Sequence, residues 1–186
     1  MSVLRKQDQN VRRLVKHHPL LKDAQEIGRG AFCIVFESKR KTRVLKLTAD
    51  KYHYKYLTQG PKSVYRPLVY QDYKKIGQTK DGLDIYLLEV ERLYPIEADK
   101  FNNKKLAMQI IEAQEHLGKL PQTSRQLVAV PEDMLVFMRQ LNKFQKDVGC
   151  HYDLHESNFM QRKNGRLIFS DPFYDKYASD NYGSGY

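Results

Sequence analysis

The spacing of apolar residues changes along the first half of the chain. Within residues 2–18, apolar side chains recur at helical intervals between basic ones, which predicts an amphipathic helix that Pro19 ends. From Glu26 onward the apolar residues follow the spacing of extended strands, interrupted by turns. The predicted elements of this part are a strand, glycine turn and strand at 26–36, a strand at 42–47, a short helix at 50–59 and a strand pair at 67–76 and 83–88.

Helical spacing dominates the second half of the chain. A first predicted helix ends at Gly118, and a second begins after Pro131 and ends at Gly149. Their predicted buried faces are Leu106, Ile110, Ala113 and Leu117 in the first, and Met134, Phe137, Met138, Leu141, Phe144 and Val148 in the second. Beyond them, two short apolar runs flank Asn164-Gly165, a dipeptide typical of tight β-hairpins. Strands followed by helices predict an α+β fold.

Length and composition limit the class of protein. The chain has 186 residues, 41% of them hydrophobic and 29% charged, which is typical of one globular domain and not of a disordered chain. No apolar run approaches the ~20 residues that span a bilayer, and the N-terminus lacks the apolar segment of a signal peptide. Two cysteines, Cys33 and Cys150, are too few for a disulfide framework or a metal cluster. We therefore expect a soluble protein in a reducing cytoplasm, with no membrane partner.

The net charge of +10 is concentrated in one part of the chain. Residues 1–60 hold 14 Lys and Arg against 5 Asp and Glu, whereas the other 126 residues hold 18 against 17. Such an asymmetry indicates an anionic partner, such as a protein with an acidic surface, or a surface that only keeps the protein in solution. No motif for nucleic-acid recognition accompanies the charge, so no specific nucleic-acid partner is predicted. The sequence does not predict an oligomeric state.

The stretch from Cys150 to Phe173 has the strongest chemical pattern. Asp153 and Asn158 precede the predicted hairpin, and Asp171 follows it. A tight hairpin brings its two ends together, so Asn158 and Asp171 should face one small volume, with Asp153 beside them. Carboxylate and amide oxygens suit a hard cation such as Mg²⁺ that carries phosphate oxygens. The pattern therefore predicts a magnesium and phosphate site at these residues.

A second group of candidate residues lies in the predicted strands of the first half. Gly28 and Gly30 form a glycine turn, where backbone amides can approach phosphate oxygens without hindrance from side chains. Lys46 follows in the next strand but one and shares a face with Val44, a costly position for a cation without a partner. Alone, the G-x-G pattern is more typical of an ordinary hairpin turn. Lys46 is what favours a phosphate-binding role.

These residues together resemble the motifs of protein-kinase-like enzymes. His151-Tyr152-Asp153-Leu154 with Asn158 stands where those enzymes have H-R-D-L-x-x-x-x-N, Ser170-Asp171-Pro172 stands where they have D-F-G, and Val44-Leu45-Lys46 is similar to the strand lysine of V-A-I-K. The resemblance covers about residues 25–173 and implies a minimal two-lobed protein-kinase-like fold with a truncated C-lobe. The implied segments are a basic N-terminal helix at 1–22, an N-lobe at 23–92, a reduced helical C-lobe with the catalytic loop at 93–173 and a flexible tail at 174–186.

The same resemblance implies roles and cofactors. The reaction would be transfer of the ATP γ-phosphoryl group to a hydroxyl, with Asp153 as base, Lys46 on the α and β phosphates, and Asn158 and Asp171 as ligands of Mg²⁺. Asp153, Lys46 and Asn158 are thus the implied catalytic residues. The implied nucleotide-binding residues are Ile27, Gly28, Gly30, Val35, Lys46, Glu89 and Glu91, the last two in the segment where kinases bind adenine through their backbone.

Within this superfamily, the chain looks most like the early serine/threonine protein kinases of short-tailed, autographivirus-type bacteriophages. Those kinases have a glycine-rich segment ending G-H-F, a V-I-K lysine, a D-M-H-x-x-N-I-M stretch and T-D-P. The matching stretches here are 30–32, 44–46, 153–160 and 170–172. This resemblance implies phosphorylation of host proteins, with acidic surfaces, in the host bacterial cytoplasm. Because only 15 residues follow Asp171, we also expect a site that is active without phosphorylation of an activation segment.

Two departures from the family pattern concern the lysine and the glycine turn. Cys33 occupies the position of the family's third glycine. Residues 50–59 hold no Glu to pair with Lys46, which we therefore expect to be held by Asp171, by a bound phosphate, or by a polar residue of this segment such as His53 or Gln59.

A third departure bears on the substrate. His155 stands where protein kinases usually have Lys, and a His there is also typical of aminoglycoside and choline kinases. A small-molecule kinase is therefore one alternative. The other is a catalytically inactive kinase-like protein that binds and inhibits a host target through its basic region.

Overall fold

A computed structural model describes residue 4 and residues 8–96, 102–123, 127 and 130–176. These residues form a mixed α+β fold with four α-helices and a five-stranded antiparallel sheet, which confirms the α+β class. The chain divides into two compact units. Unit one comprises the described residues within 1–58, 68–92 and 175–186, and unit two those within 59–67 and 93–174.

The predicted strands and the short helix between them are present, with ends shifted by a few residues. Unit one contains α1 (Gln9–His17), β1 (Glu26–Arg29), β2 (Cys33–Glu37), β3 (Arg43–Thr48), α2 (Lys51–Gln59, its last residue grouped with unit two), β4 (Val69–Gln78) and β5 (Asp84–Glu91). Unit two contains α3 (Asn103–Leu117), α4 (Glu132–Val148), β6 (His151–Tyr152), a 3₁₀ turn (Glu156–Asn158), β7 (Phe159–Gln161), β8 (Leu167–Phe169) and β9 (Phe173–Tyr174). In the part of the chain that the structure describes, none of the helices is long and apolar enough to span a bilayer.

The sheet of unit one has the strand order β1–β2–β3–β5–β4, and each neighbouring pair is antiparallel. Its apolar face is covered by α1 and the segment that follows α1. Where α1 crosses β4, an added Cβ at Gly77 would lie 3.3 Å from Leu14 Cδ1, so the helix approaches the strand closely. The buried residues of this cluster are Leu4, Val11, Leu21, Ile34, Phe36, Leu45, Leu47, Ala49, Ile85 and Leu87. Each large apolar side chain buried in it stabilises the unit by about 1.5–3 kcal/mol.

Helix α1 begins at Gln9, so the predicted start at residue 2 is wrong. Asp8 is its N-cap: one carboxylate oxygen accepts hydrogen bonds from two first-turn N–H groups at 2.9 and 3.2 Å. The other oxygen accepts the N–H of Lys80, in the β4–β5 turn, at 3.1 Å. Of the predicted helix before Asp8, Leu4 lies in a bend, and the other residues lie outside the described part of the chain.

The core of unit two is formed by α4 and the β7–β8 hairpin. The ring of Phe169 lies edge-on to the ring of Phe137, with the two centroids 5.5 Å apart. Its centroid is also 4.9 Å from that of the Phe159 ring. The predicted buried face of α4 is confirmed at Met134, Phe137, Met138 and Leu141, extends to Leu135 and Asn142, and is only half-buried at Phe144 and Val148.

The segment 59–67 belongs to unit two through hydrogen bonds with residues far along the chain. The N–H of Phe169 donates to the carbonyl of Tyr65 at 3.0 Å, and the Tyr65 hydroxyl donates to Asp133, in the first turn of α4, at 2.7 Å. The guanidinium of Arg162, beside the hairpin, donates to two further carbonyls of the segment. These bonds close unit two around a stretch that precedes β4 in sequence.

Helix α3 buries a different face from the predicted one. Its buried residues are Asn103, Ala107, Ile110 and Ile111, so of the predicted stripe only Ile110 is fully buried. Leu117 is 40% exposed. The side-chain amide of Asn103 donates to Gln161 Oε1 at 3.0 Å and to the Gly165 carbonyl at 2.7 Å. This polar attachment to the β7–β8 hairpin orients the first turn of the helix, and apolar periodicity could not reveal it.

Candidate functional site

Strand pairing in unit two joins the two ends of the motif-bearing stretch. β6 pairs with β9, with His151 opposite Tyr174, and the N–H of Asp153 donates to the Pro172 carbonyl at 2.9 Å. Asp153 therefore lies beside the backbone that directly follows Asp171. The pairing depends on two short strands that are separated by about twenty residues of chain.

The Asn-Gly hairpin supplies the second connection. Gly165 has φ 81°, the left-handed conformation that the turn requires, and β7 pairs with β8 so that Phe159 faces Phe169. As a result, the backbone carbonyl of Asn158 accepts three hydrogen bonds: from Ser170 N–H at 2.9 Å, from Ser170 Oγ at 2.8 Å and from Asp171 N–H at 3.4 Å. The hairpin thus brings Asn158 and Asp171 together, as expected.

The side chain of Asn158 connects this pair to Asp153. Its Nδ2 donates to the Asp153 carbonyl at 2.7 Å and to Asp153 Oδ2 at 3.0 Å. Both bonds use the amide nitrogen, so the acceptor Oδ1 is the atom of Asn158 that suits a cation. The three predicted residues Asp153, Asn158 and Asp171 are therefore gathered in one small part of unit two.

Burial dominates the electrostatics of Asp153. Loss of hydration raises the pKa of its carboxyl above the ordinary value; His155 opposes the shift, Asp171 adds to it, and the hydrogen bond from Asn158 opposes it. The side chain is 32% exposed, so solvent or a substrate can still reach it. A carboxylate with a raised pKa holds a proton more readily than an ordinary Asp, which is a useful property for a general base.

His155 lies next to this carboxylate. Its Nε2 is 3.7 Å from Asp153 Oδ2, and its Nδ1 is 2.7 Å from Ser157 Oγ. Ser157 therefore fixes the orientation of the imidazole, a role that none of the motifs in the sequence indicates. In the sequence, this hydrogen bond is indicated only by the position of Ser157, a hydroxyl residue two positions after His155.

The donor atoms at these residues fit magnesium better than a transition metal. Asp171 offers a carboxylate and Asn158 an amide oxygen, and Mg²⁺ is commonly held by one or two carboxylates together with phosphate oxygens and water. In the described residues, no group of three or more His, Cys, Asp or Glu side chains is placed to hold a metal ion without such a ligand. A cation at Asn158 and Asp171 would accordingly depend on phosphate for much of its coordination.

The candidate residues of unit one form a row across the sheet. Gly28 pairs with Val35, Val35 with Lys46, and Lys46 with Leu88. Because cross-strand partners lie on the same face, these four residues line one strip of the surface of the sheet. Predicted nucleotide-binding residues from three different strands are thereby brought together. Ile27 is the neighbour of this row on β1 and is 39% exposed.

The surroundings of the turn favour glycine at Gly30 but not at Gly28. An added Cβ at Gly30 would lie 3.3 Å from Cys33 Sγ, so crowding within the turn favours glycine there. At Gly28, φ is outside the left-handed region and an added Cβ would make an ordinary contact of 3.9 Å with Val35. The fold itself therefore does not demand glycine at position 28, and the missing side chain leaves space above the Val35–Lys46 row.

The side chains of Glu89 and Glu91 do not lie in this row. Glu89 pairs with Leu45 and Glu91 with Arg43, and these partners alternate with Lys46 on β3, so both carboxylates lie on the opposite face of the sheet. The Glu89 carboxylate accepts hydrogen bonds from Ser38 at 2.6 Å and Arg43 at 2.9 Å. Glu91 Oε2 accepts the N–H of Leu68 at 3.2 Å.

Helix α2 follows β3 but carries no Glu. Its sequence KYHYKYLTQ holds no carboxylate at all. Asp50, just before it, is engaged as an N-cap: Oδ1 accepts the N–H groups of Tyr52 at 2.7 Å and His53 at 3.0 Å, and Oδ2 accepts that of Asp175 at 3.4 Å. Asp175 in turn forms an ion pair with Lys51 at 2.8 Å.

The sequence matches none of the known protein-family models, and no curated protein is significantly similar to it.

Proposed function

We propose that the protein is an ATP-dependent phosphotransferase, specifically a serine/threonine protein kinase acting on host proteins during bacteriophage infection. The observation that carries this proposal is the arrangement of Asp153, Asn158 and Asp171 in unit two. The Asn158 amide holds both the backbone and the carboxylate of Asp153, and the Asn158 carbonyl receives the N–H of Asp171. The resemblance to protein kinases implies this grouping for a catalytic loop and its metal-binding Asp.

The order of the elements also supports the proposal. A glycine turn joins the first two strands of an antiparallel sheet, a lysine lies in the third, and a helix follows that strand. In unit two, a long helix precedes Asp153, and a hairpin separates Asn158 from Asp171. A minimal two-lobed kinase-like fold implies each of these features in this order.

In the proposed reaction, an acceptor hydroxyl attacks the γ-phosphorus of ATP. The bond from the hydroxyl oxygen to phosphorus forms while the bond to the β–γ bridging oxygen breaks, and ADP leaves with that electron pair. Asp153 orients the hydroxyl and accepts its proton. Lys46 stabilises negative charge on the α and β phosphates, and a magnesium ion at Asn158 and Asp171 would neutralise further phosphate charge.

The direct test uses the full chain with radiolabelled ATP, Mg²⁺ and three acceptors: casein, kanamycin and choline. We expect label on serine and threonine of casein and no transfer by Asp153→Asn. The matched control is Asp147→Asn, an exposed carboxylate on α4 that should leave transfer unchanged. Absence of transfer to every acceptor would overturn the proposal in favour of a kinase-like binding protein, an outcome consistent with the missing Glu of α2.

A second candidate function is phosphorylation of a small molecule. The observation in its favour is His155, oriented by Ser157 and 3.7 Å from the carboxylate of the proposed base. Label on kanamycin or choline, with little on casein, would establish this function in place of the first.

A further inference from the structure

Unit one has a groove of about 840 Å³ on one face of its sheet, a volume typical of ligand-binding clefts. Helix α1 contributes Val11 and Val15 to its lining, and β2 contributes Ile34 and Phe36. Ile34 and Phe36 alternate along β2 with Val35, the residue paired with Lys46. The groove and Lys46 therefore lie on opposite faces of the sheet.

The lining of this groove is strongly basic. Its cationic side chains are Arg12, Arg13, Lys16, Lys22 and Arg29. The one carboxylate among its described lining residues, Glu26, is held by Arg29 through two hydrogen bonds of 2.8 and 2.7 Å. Arg29 also donates to the carbonyl of Leu4, so each of its three guanidinium nitrogens donates a hydrogen bond within the fold.

The remaining cations are exposed and mutually repulsive. Within the residues that the structure describes, no ion pair involves Arg12, Arg13 or Lys16, and Lys22 is 3.9 Å from the exposed Asp23. The helix dipole accounts for Lys16 near the end of α1. It does not account for Arg12 and Arg13 near the middle of the helix. Repulsion among these charges would be relieved by an anionic ligand.

We propose that this groove is a docking site for an acidic segment of a partner protein, in which carboxylates alternate with aliphatic or aromatic side chains. The carboxylates would pair with Arg12, Arg13, Lys16 and Lys22, while the apolar side chains pack against Val15 and the aliphatic stems of the arginines. Among the apolar lining residues only Val15 is accessible, because Val11, Ile34 and Phe36 are at most 3% exposed, so charge complementarity carries the choice of an acidic segment. No residue of the groove is assigned to phosphotransfer, so the docking site is independent of the proposed reaction.

The test is a binding measurement by fluorescence anisotropy on the full chain, without ATP. The probe is a short fluorescein-labelled peptide in which glutamate alternates with phenylalanine, and its comparison peptide has glutamine at each glutamate position. We expect binding of the acidic peptide only. The double variant Arg12→Glu/Lys16→Glu should weaken it about tenfold or more, since two attractions become repulsions.

The matched control is Lys39→Glu/Lys41→Glu, which makes the same change of net charge at exposed positions of the same unit outside this groove. It should change the affinity less than about twofold. Thermal unfolding of both variants shows whether they remain folded. In the unmodified protein, carbodiimide should couple the peptide carboxylates to Lys16 or Lys22, which mass spectrometry detects without any substitution.

Three results would overturn the proposal. One is equal weakening by the two double variants, which would indicate non-specific charge attraction. Another is coupling at Lys39 or Lys41 as efficient as at Lys16 and Lys22. The third is tighter binding of single-stranded DNA or of phosphatidylserine vesicles than of the acidic peptide, which would assign the charge to another class of partner.

Discussion

At Asp153, the requirements of folding and of the proposed chemistry oppose each other. Burial raises the pKa of its carboxyl, so the folded state favours the protonated form more than the unfolded state does. The stability linked to this group is therefore fully present below the unfolded pKa and is lost as pH rises through the folded pKa. At neutral pH the ionised carboxylate destabilises the fold, a property typical of residues kept for catalysis.

Replacement of Asp153 by Asn should separate chemistry from binding. Without ligand, the variant should unfold at the same temperature as the parent or higher, because the buried charge is gone. It should lose phosphotransfer yet still be stabilised by Mg-ATP, as followed by thermal unfolding with and without the nucleotide. Asp171→Asn should lose both, because it removes the carboxylate of the cation site. Equal loss of Mg-ATP stabilisation in the two variants would refute the assignment of Asp153 as base.

His155→Gln should change the pH dependence of the reaction. His155 lowers the pKa of Asp153 electrostatically, so its removal should raise that pKa and move the acidic limb of the kcat/KM profile to higher pH. His116→Gln is the control, since it makes the same substitution at an exposed position of α3. An acidic limb that stays in place in His155→Gln would show that the imidazole does not influence the base.

Lys46→Met tests the row of residues across the sheet. If Lys46 stabilises phosphate charge, its loss should reduce phosphotransfer by a factor on the order of 10² or more. Lys41→Met, at an exposed turn position, should leave the rate unchanged. Near-normal activity of Lys46→Met would remove the lysine from the proposed mechanism.

Among the elements, the existence of most helices and strands was predicted, whereas the start of α1 and the buried face of α3 were not. The β7–β8 hairpin was predicted from Asn164-Gly165, and Gly165 supplies the left-handed conformation of its turn. The start of α1 was missed although Asp8 is a common N-cap residue, because Leu4 extended the apolar spacing of the helix to positions before it. The proximity of Asp153, Asn158 and Asp171 was predicted from the hairpin between them. The hydrogen bond between Ser157 and His155 was not, because neither apolar spacing nor a motif indicates it.

Asp8→Ala should destabilise unit one. It removes the N-cap of α1 and leaves the Lys80 N–H without its acceptor, so the free energy of unfolding should fall by about 2–4 kcal/mol. Asp23→Ala is the control, because the Asp23 side chain is 86% exposed and its removal should change stability by less than about 0.5 kcal/mol. Urea unfolding of the two variants measures the difference. A similar effect of both changes would mean that the cap does not stabilise the helix.

At the scale of the whole molecule, the uneven charge should govern association. The net charge is +10, and residues 1–60 hold nine more cationic than acidic residues. Attraction between exposed charges is screened over ~8 Å at physiological ionic strength, so salt should mainly slow encounter with an acidic protein. Phosphorylation of an acidic substrate should therefore fall between low and moderate salt, while that of a neutral peptide should change little. Equal salt dependence for the two substrates would favour a role in solubility alone.

Unit two is assembled from two separated stretches of chain, and this limits how the protein can be divided. A fragment of residues 93–174 would lack Tyr65, leaving the Phe169 N–H without its acceptor and Asp133 without the tyrosine hydroxyl. Such a fragment should fold only when a peptide of residues 59–67 is supplied separately. We therefore expect unit two to be divisible into two pieces that fold only together. One is a nine-residue peptide, and the other is the fragment that carries Asp153, Asn158 and Asp171.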